Sequence, residues 1–300
     1  YTYVNGDETN KLYGYLNPYA LSLAYTVNEK AGTLSPEDYH SPFDFMNALI
    51  TAMLGEEKTV QVFHPLTDVE TELTNLEVSY TSGHRKYTPI ASGKTASLLF
   101  RAVTPHDGQV YCYFPSDWKR EVALNLNGES YGTYFANETY RVVSLGQFAA
   151  KDEIILTMTL NDSNLYMRNG TNYFYYLDTA LFEDVMARLS AGNMEITSSS
   201  DTAISGTVTA TEDASVLFTS IPYDEGWMVY VDGERAQISK TLDALLAIEL
   251  EPGTHTVTMR YMSQAVAVGL TVSFVGFGAF AICIAVALMK RRKNRKIKNV

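Results

Sequence analysis

Residues 265–289 read AVAVGLTVSFVGFGAFAICIAVALM, 25 residues without a charge, and seven of the next nine residues, Lys290 to Lys298, are Lys or Arg. As a helix rising about 1.5 Å per residue this run is about 37 Å long. That exceeds the roughly 30 Å hydrocarbon core of a bilayer, so the segment spans a membrane with some tilt. The core helix of a soluble domain is seldom so long and does not end on so abrupt a basic flank. Gly269, Gly276 and Gly278 offer a small-residue face, but no GxxxG spacing is present to specify helix pairing.

The basic tail sets the orientation. The rule that cationic flanks stay inside places Lys290, Arg291, Arg292 and Lys293 on the cytoplasmic side, where anionic headgroups add about 1 kcal/mol per basic residue. Residues 1–264 are therefore expected to be extracytoplasmic. Of 23 Lys and Arg, seven sit in the tail, which leaves 16 against 34 Asp and Glu and a charge of −18 on the outer portion. A nucleic-acid partner, which needs a basic face, is excluded on this balance. The lipid bilayer is the one partner the sequence itself names.

An outward-facing chain needs a signal peptide or an earlier span. This one starts Tyr1-Thr2-Tyr3-Val4-Asn5, without initiator Met, basic n-region or apolar h-region. The expectation is a processed chain or the carboxyl-terminal piece of a longer membrane protein, of which the second is the better reading. Its two cysteines, Cys112 in a strand-like run and Cys283 in the span, cannot meet, so no internal disulfide is expected. A bacterial envelope is the easier setting for an outer domain of this size without disulfides. The sequons at Asn137, Asn161 and Asn169 then read as chance matches.

Along the chain, Ala20–Val27 reads as a strand. Ser41-Pro42 opens a helix, with Ser as N-cap and Pro at the first helical position, and Gly55 closes it. From Val60 to Leu160 the period becomes two, in short β-branched or aromatic runs broken by Gly, Pro and Asp. Residues 114–129, FPSDWKREVALNLNGE, and 221–234, IPYDEGWMVYVDGE, share a pattern. Each has an apolar residue, Pro, Asp, Trp, alternating apolar positions, then Asn-Gly or Asp-Gly, which supplies both positive-φ positions of a type I′ hairpin turn. Each is followed by a long strand, Ile154–Leu160 or His255–Tyr261. We read two copies of one β-sandwich module, with convergence on a common hairpin as the other reading. The apolar spacing of Leu177, Leu181, Phe182, Val185 and Leu189 marks a helix capped by Asp178 or Thr179. Asp184 and Arg188 stand at i, i+4 on it. Ser198–Asp201 reads as a linker-like turn cluster.

The fold class is thus mainly β: two β-sandwich modules with short helices, followed by one C-terminal transmembrane helix. The expected divisions are a connecting region with a short helix over 1–59 and a first module over 60–163. A helix with the second module follows over 164–263, then the span over 264–289 and the tail over 290–300.

No catalytic constellation is present in the sequence. The five histidines lack HxH or HExxH spacing, and there is no GxSxG, P-loop or GxGxxG motif. Glu70 and Glu72 share a strand face without the Asp/Asn/Gly spacing of a calcium loop, so they read as a solvated face. No cofactor, metal or catalytic residue is assigned. Trp227 with Asp224 and Glu225, and Trp118 with Asp117 in the first copy, are the candidate glycan contacts, with core packing as the other reading of each Trp.

Taken in order, Tyr15–Leu21, Ser41–Asn47, Ile221–Trp227, Val231-Asp232-Gly233, Pro252-Gly253-Thr254-His255 and a last span with a basic tail resemble the carboxyl-terminal part of the YfhO family of bacterial multi-span membrane proteins. The resemblance covers essentially the whole chain. It implies a parent similar to C-type membrane glycosyltransferases, which use a polyprenyl-phosphate sugar outside the membrane and modify envelope polymers such as teichoic acid. In that group the catalytic acid lies in an early outer loop, absent here, so no catalytic residue carries over to any position. Lipid-linked sugar and envelope glycan are then implied partners through the parent. The alternative is a single-span, membrane-anchored β-sandwich surface module for binding or spacing, without catalysis. Trp-x-Val-x-Val-Asp-Gly with Pro-Gly-Thr-His-Thr-Val also resembles PEGA-type modules.

Overall fold

Period-two alternation decides most of the architecture, because it gives each strand one face for a core and one for water. The computed structural model describes the chain except residues 1, 8, 10, 117–120, 135–140, 162 and 298–300. A hairpin of β1 (Thr2–Asp7) and β2 (Leu12–Leu16) leads to β3 (Ala24–Val27) and α1 (Pro42–Met53). Next come β4 (Phe63–Pro65), β5 (Glu70–Thr74), β6 (Leu76–Thr81), β7 (His84–Pro89), β8 (Ala96–Val103) and β9 (Gly108–Tyr113). They are followed by β10 (Val122–Leu126), β11 (Glu129–Tyr134), β12 (Val142–Phe148), β13 (Glu153–Leu160), β14 (Leu165–Arg168) and β15 (Phe174–Leu177). After α2 (Thr179–Ser190) lie β16 (Glu195–Ser200), β17 (Ala203–Ala210), β18 (Val216–Pro222), β19 (Trp227–Val231) and β20 (Glu234–Arg235). The chain ends with β21 (Ile238–Thr241), β22 (Leu245–Glu249), β23 (Gly253–Tyr261) and α3 (Gln264–Ile297).

Two compact units result: Tyr1–Leu21 with Val27–Ala191, and Ser22–Thr26 with Gly192–Val300. In the first, a sheet ordered β11-β10-β13-β8-β5 and a second ordered β12-β9-β15-β4 share one core. Leu98 and Phe100 of β8, Leu156 and Met158 of β13, Val110 and Cys112 of β9, and Phe174 of β15 fill it. A small sheet, β14-β7-β6, adds Tyr87, Leu165 and Met167 to the same core. Burial raises the Cys112 thiol well above its ordinary range, so this cysteine is an inert core residue.

The second unit repeats the plan, with sheets ordered β16-β17-β23-β19-β20 and β21-β22-β18-β3. Its core holds Val208, Leu217, Val229, Leu246, Ile248, Val257 and Met259. In both five-stranded sheets the module's last long strand is central, β13 between β8 and β10, β23 between β17 and β19. The expected type I′ turns are present: φ is 50° and 89° at Asn127-Gly128, and 52° and 88° at Asp232-Gly233. Each turn is tied to the central strand in the same way. Asn127 N–H donates to the Ile155 carbonyl (2.8 Å) and its Oδ1 accepts from Ile155 N–H (2.7 Å). Asp232 makes the same pair of bonds to Thr256, at 2.8 Å each. The two five-stranded sheets thus share both a strand order and a turn tie. Strand β3, which precedes the first sandwich in the chain, lies beside β18 in the second, so that unit is built from two separate stretches.

Helix α1 starts as its sequence predicts: Ser41 Oγ accepts from Phe43 N–H at 3.1 Å and Pro42 is its first residue. Helix α2 is capped by Asp178, whose side chain accepts from Leu181 N–H at 3.0 Å. Two expectations need correction. Ser198–Ser200 belong to strand β16, since an exposed edge strand is held by backbone pairing to β17 and needs no apolar side chains. The Arg188 guanidinium pairs with Glu56, 132 residues away, rather than with Asp184 one turn back.

Helix α3 contains one candidate span, Gln264–Met289, of 26 residues, with Phe274 and Phe277 each 73% exposed. None of its apolar window is buried in the protein, which is the surface a lipid-facing helix presents.

Candidate functional site

Where the second sandwich passes into α3, the chain must turn from a strand into a membrane helix within two residues, Met262 and Ser263. The loop from Pro222 to Trp227 makes that turn possible. Asp224 Oδ1 accepts from Gly226 N–H at 2.7 Å and its carbonyl from Trp227 N–H at 3.1 Å, which closes a tight turn. Gly226 then presents its carbonyl to Met262 N–H at 3.0 Å, clasping the chain as it leaves β23. Only glycine fits: a Cβ here would lie 2.6 Å from the Met262 carbonyl oxygen and 2.9 Å from the Tyr261 ring.

The carboxylate of Glu225 accepts from Gln264 Nε2 at 2.7 Å, so the first residue of the helix is held by the same loop. Trp227 and Tyr261 are directly paired across β19 and β23, with ring centroids 5.1 Å apart at 54°. Trp227 is half-buried against the second core, and Asp224 and Glu225 are exposed. Asp224, Glu225, Tyr261, Ser263, Gln264 and Ala265 surround a cleft of about 250 Å³.

Three of the sequence-predicted residues therefore meet in one place, the junction of sandwich and span. Tyr261, Ser263 and Gln264 join them there and were missed. The signal that could have found them is the two-residue gap between the last strand and the apolar run. Trp118 and Asp117 lie outside the described residues. Lys290, Arg291, Arg292 and Lys293 continue helix α3 past the span, and their side chains are likewise outside the described set.

A second polar constellation lies within the same sandwich. Asp232 Oδ2 meets His255 Nδ1 at 2.7 Å, and His255 Nε2 meets the Glu251 carbonyl at 2.8 Å. Both ring nitrogens face acceptors, so the imidazolium is favoured. The hydrogen bond to Asp232, with a further one to Glu251, raises the His255 pKa above its ordinary value. Asp232 is lowered, first by the Thr256 N–H and then by His255. By the turn equivalence, His255 occupies the place that buried Ile154 has in the first copy. Among the described residues no group of three His, Cys, Asp or Glu is placed to hold a metal ion. Glu72, on the exposed strand β5, lies 3.8 Å from Arg101, which also pairs with Glu153.

Among solved structures, the chain is similar to a Paenibacillus sp. cycloisomaltooligosaccharide glucanotransferase complexed with cycloisomaltoheptaose, at 9% identity and a TM-score of 0.28. The match covers 66% of this chain and 45% of that one, so the chain spans less than half its length. A conserved protein of unknown function from Pseudomonas aeruginosa PAO1 matches at 8% identity and a TM-score of 0.17, covering 66% and 94% of the two chains. At these TM-scores neither likeness carries an argument. No curated protein matches in sequence. Residues 1–273 match the family described as bacterial membrane protein YfhO.

Proposed function

Because the chain belongs to the YfhO family of bacterial membrane proteins, we propose that it is the extracytoplasmic C-terminal portion of a polyprenyl-phosphate-sugar-dependent glycosyltransferase acting on envelope polymers such as teichoic acid. The observation that supports this reading is the junction cleft. Two residues separate β23 from the candidate span, so on this reading Asp224, Glu225 and Tyr261, which line the cleft, lie at the level of the lipid headgroups. That is the level at which a lipid-linked sugar presents its sugar. The carboxylates accept hydrogen bonds from sugar hydroxyls, and Ser263 and Tyr261 both donate and accept. Two exposed carboxylates repel a phosphate, so the cleft orients the hydroxyl-rich part of a ligand and leaves the phosphate to other parts of the parent. The chemical step belongs to residues outside this chain.

The test is sugar transfer from a polyprenyl-phosphate sugar to the envelope polymer by the complete membrane protein, with and without Asp224→Asn plus Glu225→Gln. The expected result is a KM for the polyprenyl-phosphate sugar raised about tenfold, roughly 1.4 kcal/mol of lost binding, with kcat retained. No transfer by the unaltered protein refutes the transferase reading. Unchanged kinetics in the double variant refute the role of the cleft alone.

A further inference from the structure

We propose that a groove beside α1 in the first unit binds an uncharged saccharide segment. The groove has a volume of about 700 Å³, within the range of ligand clefts, and none of its lining residues belongs to the junction. It is open along one side and runs between α1, the segment that precedes it and the chain at Thr59–Gln61.

Its wall is fixed before any ligand arrives. Asn47, buried on α1, donates from Nδ2 to the Phe63 carbonyl at 2.8 Å. Its Oδ1 accepts from the N–H groups of Val62 and Phe63 at 3.0 Å each. Thr51 Oγ1 donates to the Asn47 carbonyl at 2.7 Å and accepts from Val60 N–H at 2.8 Å. Helix and strand are thus locked together, and a ligand pays little to order them.

The lining selects the ligand by charge. Lys30 Nζ is occupied by Glu57 at 3.0 Å and the Gly55 carbonyl at 3.1 Å, and Glu56 by Arg188. With those charges paired within the chain, the described residues that line the groove offer an anionic ligand no unpaired cation. Asp44 is different. No described residue donates a hydrogen bond to it, and desolvation raises its pKa, with His40 opposing. It is a hydrogen-bond acceptor in search of a hydroxyl. Tyr39 supplies a ring face, packed against Phe45 at 60° with centroids 5.5 Å apart, and Gln61 an exposed amide. An acceptor, an amide and an aromatic face in an open groove are the groups that bind a sugar's hydroxyls and its apolar ring face. This inference rests on the lining and stands apart from the transferase reading.

The experiment uses the full chain in detergent micelles, with maltohexaose and chitohexaose as neutral probes and a glycerol-phosphate polymer as the anionic one. Binding is followed by saturation-transfer NMR and calorimetry for the unaltered chain and for Tyr39→Ala, Asp44→Ala and Gln61→Ala, each checked by its melting temperature. At least one hexaose is expected to bind, with Kd rising about tenfold in Asp44→Ala and Tyr39→Ala, and without competition from the anionic polymer. The exposed Gln61→Ala keeps the test open if another variant fails to fold; its Kd is expected to rise about threefold. Absence of hexaose binding up to about 10 mM, binding indifferent to all folded variants, or preference for the anionic polymer overturns the proposal.

Discussion

Replacing Gly226 by Ala tests whether the second sandwich and the span are joined rigidly. The added methyl would stand 2.6 Å from the Met262 carbonyl oxygen, 2.8 Å from Asp224 Oδ1 and 2.9 Å from a Tyr261 ring carbon. Two of these belong to side chains that can yield, but the nearest is backbone of the strand exit. Relieving it means moving Met262 away and losing its 3.0 Å hydrogen bond to the Gly226 carbonyl. Overpacking of this kind costs about 1–3 kcal/mol, and the lost bond adds about 1 kcal/mol. The expected loss is therefore about 3 kcal/mol, with the helix start less firmly held by Glu225. The assay is urea unfolding of the full chain in micelles followed by Trp227 fluorescence in a Trp118→Phe background. Gly233→Ala is the control, since no atom lies within 4 Å of its Cβ site and only its φ of 88° opposes the change, at about 1 kcal/mol. If Gly226→Ala costs no more than Gly233→Ala, the tight junction is wrong.

Other outcomes follow from the same geometry. The His255–Asp232 pair makes the second sandwich pH-dependent in a defined window: because His255 is raised above 6.5, its contribution is complete below pH 6.5 and is lost as pH rises through the folded value. Asp232 is lowered, so its contribution is present above pH 3.8 and is lost as pH falls through the folded value. Melting temperature should accordingly fall as pH rises above 6.5 and again on acidification below pH 3.8, and His255→Gln should flatten the upper limb; an unchanged upper limb contradicts the pairing. In the first core, Leu156 is fully buried, and Leu156→Ala should cost about 3 kcal/mol by denaturant titration. Ser41→Ala, which removes the cap of α1, should cost about 1 kcal/mol in the same measurement.

Much of this fold was legible because its signals are local. The I′ turns at Asn127-Gly128 and Asp232-Gly233, the Ser41-Pro42 cap and the apolar span each depend on a few adjacent residues. What the sequence hid depends on distant partners. Strand β3 lies beside β18 although the whole first sandwich separates them in the chain. Arg188 turns to Glu56, and the serines of β16 pair by backbone alone. The junction was half legible: Trp227, Asp224 and Glu225 drew attention through the order Pro, Asp, Trp that residues 115–118 and 222–227 share. Their tie to Gln264 and Met262 appears only when the strand and the helix are seen to meet. The groove beside α1 left no motif, since Asn47 and Thr51 read there as ordinary helix positions.

The most direct measurement for the proposed orientation is thiol accessibility in intact cells. Single cysteines are placed at Glu225→Cys, beside the junction cleft, and at Asn299→Cys in the tail, in a Cys112→Ala, Cys283→Ala background. A membrane-impermeant maleimide is predicted to label position 225 in intact cells and position 299 only after permeabilisation. Labelling of position 299 from outside, with position 225 protected until the membrane is opened, would contradict the account.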